Sequence, residues 1–503
     1  MNYPVTDQNL TIITSPVLPF LSLPFSFLNI NLLGYNIFLL ASFILNMALM
    51  AIICLEIFEN KFSATLAGIV FAFNCINIAH AIGGHLAQIS IFPILLFIVC
   101  YFNFINKRTY LNATITGIIG GLCLLIDLKV TAYTLLPIYI VLTFFNFRKN
   151  KNRFSNPDIL QFVLLNFLMA AIAVPFYKPL LFSGIKGDID YLYQPGAIKH
   201  SASLFSFVIP PPESFLVKIF PSLFNLSETI ALPGWHENVF FIGWVILIFA
   251  VIGAIHLLKE KVFFKLEIIL LTVFSFFMVL GPYLKFVTEQ FSFTINSKEY
   301  WLSMPYYYFS KIPFLDLGRT PSRYMTTFWF GLSILIAYGI SKLIKSINGI
   351  LFKRIVAAFL VLTVLVEVNF TFPFPVSPVT VPDFYFTIAS DEDDYAILDL
   401  PLGDYLCDKQ QIYLATIHQH PVVGGITRKS SEVENSLNRI KNFFDLPNLN
   451  QTRIELQNLN IKYVVLHKKC SINPTPLIEI QNLIQRLDYQ FYSSEEIEVY
   501  KVY

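Results

Sequence analysis

The sequence predicts a mostly α-helical, polytopic transmembrane bundle of about ten spans, followed by a small extracytoplasmic α/β domain. Hydrophobic residues make up 55% of the 503 residues and charged residues only 14%, whereas a soluble domain carries about 25% charged residues. The apolar residues also occur in long runs, as lipid-facing helices require. The composition changes once, so we expect residues 1–372 to be the membrane domain and residues 373–503 a soluble domain.

Ten apolar segments of the first part are candidates for membrane spans, because a span needs about 20 apolar residues. The fourth and fifth are short enough to form a hairpin that does not fully cross. The segments are 34–57, 62–80, 89–105, 112–127, 130–146, 159–177, 238–257, 265–284, 323–342 and 352–370.

The connecting loops alternate in charge, which predicts the orientation. "INKRTY", "FRKNKNR", "LKEKVFFK" and "SKLIKSINGILFKR" are rich in Lys and Arg, and short basic loops are retained in the cytoplasm. The turn at His85, the loop around Asp127, the long loops near 183–237 and 286–322, and the tail then lie outside the cytoplasmic membrane. The formal net charge of +2 is no signature of nucleic-acid binding, so the bilayer is the expected partner and nucleic acid is not.

The turn "AHAIGGHLAQ" places several polar residues between two apolar runs. Its glycines permit a tight turn between antiparallel helices. His80 and His85 either satisfy helix-end carbonyls and interfacial water, or His85 and Gln88 line a groove for a phosphate or sugar, since polar groups at membrane depth are costly and often functional.

Acidic residues occur in two other segments that are expected on the outer side, and each segment has two interpretations. Asp127 and Lys129 in "LLIDLKV" do not share a helix face and are expected in a turn, as a local ion pair or as part of the same groove. Asp188 and Asp190 have a DxD spacing that suits Mg²⁺ or Mn²⁺ or simply a solvated loop. A divalent cation is therefore an open option rather than an expectation.

The segment "MPYYYFSKIPFLDLGRTPSRYMTTF" is the most distinctive of the chain. Arg319 and Arg323 flank Pro321, which suits a helix start, so two guanidinium groups lie at the outer end of an apolar helix. They form either an anion site for a lipid phosphate or an interfacial belt of arginine and aromatic residues. Trp235, His236 and Glu237 are grouped just before the seventh span, where interfacial anchoring explains the tryptophan without catalysis.

Several segments, taken together and in their order along the chain, resemble those of the polytopic GT-C superfamily, and more closely those of bacterial membrane glycosyltransferase-like proteins near the YfhO-type group. The segments that carry the resemblance are "TSPVLPFLSLP", "HAIGGHLAQISIFPILL", "SASLFSFVIPPP", "GPYLKF", "MPYYYFSKIPFLDLGRTPSRY", "YAILDLPL", "ATIHQHPVVGGITR" and "LNIKYVVLH".

The resemblance implies transfer of a sugar from a polyprenyl-phosphate donor to a cell-envelope acceptor, a glycan or a protein, on the outer face of the membrane. In such proteins a carboxylate of the first outer loop acts as base on the acceptor hydroxyl, and polar or basic groups stabilise the departing phosphate. Our candidates for binding the lipid phosphate or sugar are His85, Gln88, Lys129, Arg319 and Arg323.

The acidic motif of that family follows an initial span, and this chain begins in what resembles the later part of the first outer loop. We therefore expect a further N-terminal span ahead of Met1. In the present sequence Asp7 and Asp127 are the candidates for the base. The alternative is a non-catalytic membrane protein of the same fold that binds a glycan or lipid carrier; a transporter is disfavoured because the polar residues cluster at the outer ends of spans rather than at their centres.

The tail shows the patterns of an α/β domain. "DYAILDLPL" and "IKYVVLHK" are typical of buried strands, helices are expected at 430–446 and near 450–459 and 475–487, and "YQFYSSEEIEVYKVY" is typical of a closing hairpin. His418, His420 and Arg428 have a structural or acceptor-contact role, or the two histidines bind a metal. Cys407 and Cys470 could pair if the tail lies in an oxidising compartment.

Overall fold

The computed structural model describes residues 24, 31–149, 156–186, 196–230, 237–260, 264–312, 319–368, 371, 380–402, 405–423, 449–470 and 490–503. They belong to two compact units. One holds the described residues up to 371, and the other holds those from 380 onward.

The first unit is helical throughout apart from a two-stranded hairpin. Its helices are α1 (Asn31–Phe58), α2 (Lys61–Ala72), α3 (Cys75–Ile82), α4 (Leu86–Ile89), α5 (Phe92–Asn106), α6 (Tyr110–Ile126), α7 (Leu136–Lys149, preceded by a π turn at Thr131–Leu135), α8 (Asn156–Lys186), α9 (Phe215–Ile219), α10 (Phe224–Ile230), α11 (Trp244–Lys259), α12 (Lys265–Val279), α13 (Pro305–Phe309), α14 (Met325–Ser346) and α15 (Ile350–Val368); the hairpin strands are β1 (Ser292–Ile295) and β2 (Lys298–Trp301).

Helices occupy all ten segments that the sequence marks as apolar. Five stretches among the described residues are long and apolar enough to cross a membrane, and two shorter apolar helices, Tyr110–Ile126 and Trp244–Lys259, accompany them. The chain is thus a multi-pass membrane protein, whereas the count of ten crossings remains a prediction. The five stretches are Leu33–Phe58, Lys61–Ile82, Leu86–Asn106, Asn156–Lys178 and Pro321–Ser346.

The second span is broken between α2 and α3. Asn74 caps α3 by accepting the N–H of Asn77, and the side-chain amides of Asn74 and Asn77 both donate to the Phe71 carbonyl, at 2.6 and 3.0 Å. Freed backbone groups inside apolar surroundings need such partners. The break turns α3 toward the segment before α11, where the Cys75 thiol donates to the Phe241 carbonyl at 2.9 Å.

Helices α11 and α14 approach closely at the centre of this unit. Gly253 of α11 lies against the backbone of Leu335, and Gly339 of α14 lies against the backbone of Phe249, as small residues allow in membrane helix pairs. The buried carboxylate of Glu367 in α15 accepts the N–H groups of Val245 and Ile246 at 2.8 and 3.1 Å. It thereby caps the start of α11, where the first N–H groups have no partner within the helix.

Ion pairs join the helix ends that carry the basic loops. Arg148 at the end of α7 pairs with Glu267 at the start of α12 at 2.7 Å, and Arg108 before α6 pairs with Asp158 at the start of α8 at 3.3 Å. Lys342 near the end of α14 pairs with the Glu260 carboxylate after α11. These contacts assemble the loops that the charge pattern places on one side; which side faces the cytoplasm stays a prediction.

The second unit is a four-stranded sheet with helices on both faces. Its elements are α16 (Asp383–Ile388), β3 (Ala396–Leu400), α17 (Tyr405–His418), α18 (Leu449–Asn458), β4 (Ile461–His467), β5 (Gln490–Ser493) and β6 (Ile497–Lys501). The strand order is β3-β4-β6-β5, with β3 and β4 parallel and the β5–β6 hairpin antiparallel. All of β3 is buried, as a parallel strand covered on both faces requires, and the expected strands and hairpin are confirmed.

Two histidines of the second unit have structural partners. His418 accepts the backbone N–H of His420 at 3.1 Å and stacks on Tyr385, and the ring of His420 stacks on Tyr395 with centroids 4.1 Å apart. These contacts favour the structural role over metal binding. Cys407 and Cys470 form a disulfide. Arg428 and the helices expected at 430–446 and 475–487 lie outside the described residues.

Candidate anion and metal site

The turn at His85 is the end of a helix closed by a Schellman motif. Gly84 has a positive φ of 73°, the His85 N–H donates to the His80 carbonyl at 2.9 Å, and the Gly84 N–H donates to the Ala81 carbonyl at 3.1 Å. This is the pair of hydrogen bonds by which a left-handed glycine ends a helix. The motif sets the two histidines side by side, with their Nδ1 atoms 3.1 Å apart.

Glu237 faces the two histidines from the segment before α11. One of its carboxylate oxygens, Oε2, lies 4.0 Å from His80 Nε2. One ligand atom from each of His80, His85 and Glu237 can be chosen so that all lie within 4.8 Å of one another. The Cys75–Phe241 hydrogen bond holds the Glu237 segment against α3, so the break in the second span is what brings these residues together.

Arg323 forms a two-point ion pair with the same carboxylate. Its Nη2 lies 2.6 Å from Glu237 Oε1 and its Nε lies 3.4 Å from Oε2, and the side chains are 12% and 7% exposed. Burial by itself would raise the pKa of Glu237, but attraction to Arg323 and to His80 outweighs it and holds that pKa well below its usual range. Glu237 is therefore ionised and shared between a guanidinium and two imidazoles.

A third histidine approaches from the loop before α9. The backbone carbonyl of His200 accepts the N–H of Ser322, next to Arg323, at 3.0 Å. Burial lowers the pKa of His200 from 6.5 to about 4; Glu237 opposes this shift, while Arg319 and Arg323 add to it. At neutral pH the imidazole of His200 is therefore uncharged.

Lys285 fixes the loop that carries His200. It is buried, and its ammonium donates to the carbonyls of Ile198 at 2.9 Å and Ser201 at 2.7 Å. Burial lowers its pKa to about 8. Because a buried cation needs partners, we take this lysine to position the loop.

Several buried polar atoms at this site have no hydrogen-bond partner among the described residues, and two of them are Nη1 of Arg323 and Nδ1 of His200. A buried polar atom left without a partner costs about 1–3 kcal/mol, so such atoms are scarce in folded proteins. Both belong to groups that suit an anion, because a guanidinium is always charged and an imidazole gains a proton readily near a negative charge.

Aromatic residues cover the site next to Arg323. The rings of Tyr133 and Tyr324 meet edge to face with centroids 4.9 Å apart, and Tyr306 approaches Tyr324 at 6.4 Å. Thr327 donates to the Tyr133 carbonyl at 2.7 Å, which ties the π turn before α7 to the start of α14. The site thus combines charged groups with a largely apolar surround.

The donor set decides which metals fit. Two imidazoles and one carboxylate suit Zn²⁺ and related transition metals, whereas Mg²⁺ prefers oxygen ligands. The sequence located its cation candidates at Asp188 and Asp190, which lie outside the described residues. Of the residues that the structure describes, it is His80, His85 and Glu237 that have metal-ligand spacing.

The other sequence candidates lie around this cluster. Half-buried Asp127 ends α6 and accepts the backbone N–H groups of Lys129 and Val130 at 2.7 and 3.0 Å. It lies close enough to Arg323 for their charges to interact. Gln88 is buried in α4. Asp7 lies outside the described residues.

Two site residues escaped prediction from the sequence. The sequence predicts no role for Glu237 beside the interfacial Trp235, and His200 lies in a long loop without a motif. One signal was present, because Glu237 and Arg323 each precede an apolar helix that starts on the same side of the membrane. A carboxylate and a guanidinium placed in that way can pair although they are 86 residues apart.

The solved structures that are similar to this chain include two of archaeal oligosaccharyltransferases. The crystal structure of the Archaeoglobus fulgidus oligosaccharyltransferase in complex with Zn and sulfate has 12% sequence identity and a TM-score of 0.43, and covers 90% of this chain and 59% of that one. The oligosaccharyltransferase AglB from Archaeoglobus fulgidus, in complex with an inhibitory peptide and a dolichol-phosphate, has 11% identity and a TM-score of 0.45, and covers 95% of this chain and 64% of that one.

This chain spans only about three fifths of the length of those neighbours. No protein-family model matches the sequence, and no curated protein matches it. Since TM-scores this low carry no functional conclusion, the chemistry of the site has to come from its own residues. What stands is a mostly helical, multi-pass membrane protein with a buried cluster of arginine, histidine and glutamate at one set of helix ends.

Proposed function

We propose that this chain is an integral membrane glycosyltransferase-like protein that binds the phosphate of a polyprenyl-phosphate-linked sugar at Arg323 and His200. The acceptor is a glycan or protein of the cell envelope, on the outer face of the cytoplasmic membrane. The observation that carries the proposal is the pair of buried, unpartnered atoms Arg323 Nη1 and His200 Nδ1.

The surroundings of these atoms suit a phosphate on a lipid. Arg323 lies in the turn Pro321–Tyr324 that leads into α14, and the start of a helix favours an anion. The half-buried Arg319 acts on the same region through its charge. The tyrosines beside Arg323 offer an apolar surface for the first isoprene units of the carrier.

A divalent cation on His80, His85 and Glu237 would act as a Lewis acid toward a phosphoryl oxygen. The residues of the chain itself do the rest: Arg323 and His200 bind and orient the phosphate, and the tyrosines reduce the access of water. His80, His85 and Glu237 would hold such a cation, and Glu237 would then be shared with Arg323, which would leave the guanidinium freer to meet the phosphate.

The non-catalytic alternative, a protein that binds the lipid carrier without transferring the sugar, is favoured by one observation. Of the described carboxylates near the site, Asp127 accepts backbone N–H groups and Glu237 pairs with Arg323. A general base works best with a pKa near the operating pH, and the pKa of Glu237 lies well below its usual range.

Binding of polyprenyl phosphate and of the uncharged polyprenol, measured by native mass spectrometry on the purified full chain, tests the proposal. We expect the phosphate to bind more tightly and the preference to fall about tenfold or more in Arg323→Gln, since hydrogen bonds to a charged group contribute about 1.5–3 kcal/mol. Arg148→Gln, which breaks the Arg–Glu pair at the opposite helix ends, is the control and should keep the preference. Equal binding of both lipids would overturn the proposal.

A transfer assay with a polyprenyl-phosphate sugar separates the two forms of the proposal. Sugar transfer that is lost in Arg323→Gln and kept in Arg148→Gln identifies an enzyme. Binding without transfer identifies the non-catalytic carrier-binding protein.

A further inference from the structure

An exposed row of aromatic rings crosses the loop between α12 and α13. It consists of Phe205, Phe286, Phe291, Phe293 and Tyr300, each 40–45% exposed. Consecutive rings are in contact, with centroids 6.4, 5.4, 6.5 and 6.1 Å apart. A continuous apolar patch of this kind on a protein surface marks an interaction site.

The hairpin β1–β2 is amphipathic. Phe293 pairs with Tyr300 and Ile295 with Lys298, so these four side chains share one face. The other face pairs Thr294 with Glu299 and Ser292 with Trp301. One side is therefore mostly apolar and the other mostly polar.

This hairpin lacks cover on its apolar face among the described residues. Phe293, Tyr300 and Ile295 are 41%, 44% and 52% exposed, and an isolated two-stranded hairpin is at best marginally stable in water. A packed surface on that face is what would stabilise it.

A stripe of exposed apolar residues on α12 ends near the row. These residues follow helical spacing, at Leu266, Leu270, Val273 and Phe277, and form one stripe on a helix that we expect to span the membrane. Phe276, next to the last of them, contacts the buried Phe207 with centroids 5.0 Å apart, in the same turn as Phe205, where the row begins. The end of the stripe and the start of the row therefore lie close together.

We propose that the apolar face of the hairpin lies in the outer-leaflet interface of the bilayer, as an amphipathic anchor beside the candidate site. Aromatic residues prefer this depth, and an interfacial segment buries its apolar face about 5–10 Å into the headgroup boundary. Lys298, on the same face at the tip, meets the phosphates of anionic lipids. The inference does not depend on the function proposed above.

Photo-crosslinking to lipid tests the anchor with a matched pair of positions. p-Benzoylphenylalanine is introduced at Phe293, on the row, or at Thr294, the next residue on the opposite face, in the full chain reconstituted into bilayers of phosphatidylglycerol and phosphatidylethanolamine. The intact mass after illumination reports the adduct. We expect lipid adducts to be several-fold more abundant at position 293 than at position 294.

Two outcomes would overturn the inference. Equal lipid labelling at the two positions means that the hairpin does not lie on the membrane with this face down. Crosslinks from position 293 to protein, within the chain or to a second copy, mean that protein covers the row. Repeating the measurement with the probe at Tyr300, the cross-strand partner of Phe293, guards against a local effect of one substitution and should give the lipid adduct as well.

Discussion

Breaking the Arg323–Glu237 ion pair should destabilise the protein strongly. Arg323→Gln leaves the Glu237 carboxylate buried, only 7% exposed, and without its guanidinium partner. Two charges about 3.5 Å apart attract by roughly 5 kcal/mol at an effective dielectric constant of about 20. Removal of one partner of a buried pair costs about 3–5 kcal/mol, so the two approaches agree on the size of the loss.

The free energy of unfolding, measured by denaturant titration in detergent with circular dichroism as the signal, gives the magnitude. A double-mutant cycle with Arg323→Gln, Glu237→Gln and the combined variant isolates the interaction, and we expect a coupling free energy of about 3 kcal/mol. The pair Arg148–Glu267 supplies the comparison. Because the Arg148 side chain is 38% exposed, solvent screens that pair and its coupling should be smaller.

A coupling at Arg323–Glu237 below about 0.5 kcal/mol would refute the reasoning, since distant, independent sites add within that range. A larger coupling at the more exposed pair Arg148–Glu267 would refute it as well.

Three further predictions concern other parts of the chain. Stability should fall as the pH is lowered from 6.5 to 4, because the pKa of His200 is lowered from 6.5 to about 4 and in this range the unfolded chain takes up a proton that the folded chain does not. In a pH series of melting temperatures, His200→Asn should reduce this loss of stability. An unchanged dependence of the melting temperature on pH in the variant would contradict the burial of this imidazole. Glu367→Gln should cost about 1–2 kcal/mol in the free energy of unfolding, since a carboxylate cap at a helix start is lost, and no loss would contradict the cap on α11. Peptide mapping without reduction should recover Cys407 linked to Cys470, whereas alkylation of both in unreduced protein would show that they are not paired.

The helices and the strands of the tail could be predicted because their signal is local. Apolar runs marked the long helices of the membrane unit, and short β-branched runs marked β3 and β4, whereas the short helices α9, α10 and α13 lie outside the apolar segments. The tight turn before His85 could also be predicted from the sequence, because its glycines permit the positive φ that Gly84 adopts. In each case the residues that define the element are neighbours in the sequence.

The site was harder to predict from the sequence because its residues come from segments that are far apart in the chain. His85 and Arg323 were recognised as polar residues at helix ends, but their common partner Glu237 comes from a third segment. The break at Asn74 and the Cys75–Phe241 contact help to bring α3 and that segment together. The pairing therefore depends on packing that no single stretch of sequence records.

Structure determination of the protein in lipid nanodiscs with bound polyprenyl phosphate tests the central claim most directly. The account predicts phosphate density within hydrogen-bond distance of Arg323 Nη1 and His200 Nδ1, lost in Arg323→Gln and kept in Arg148→Gln. Phosphate density at the Arg108 and Arg148 helix ends instead, with Arg323 and His200 unoccupied, would contradict it.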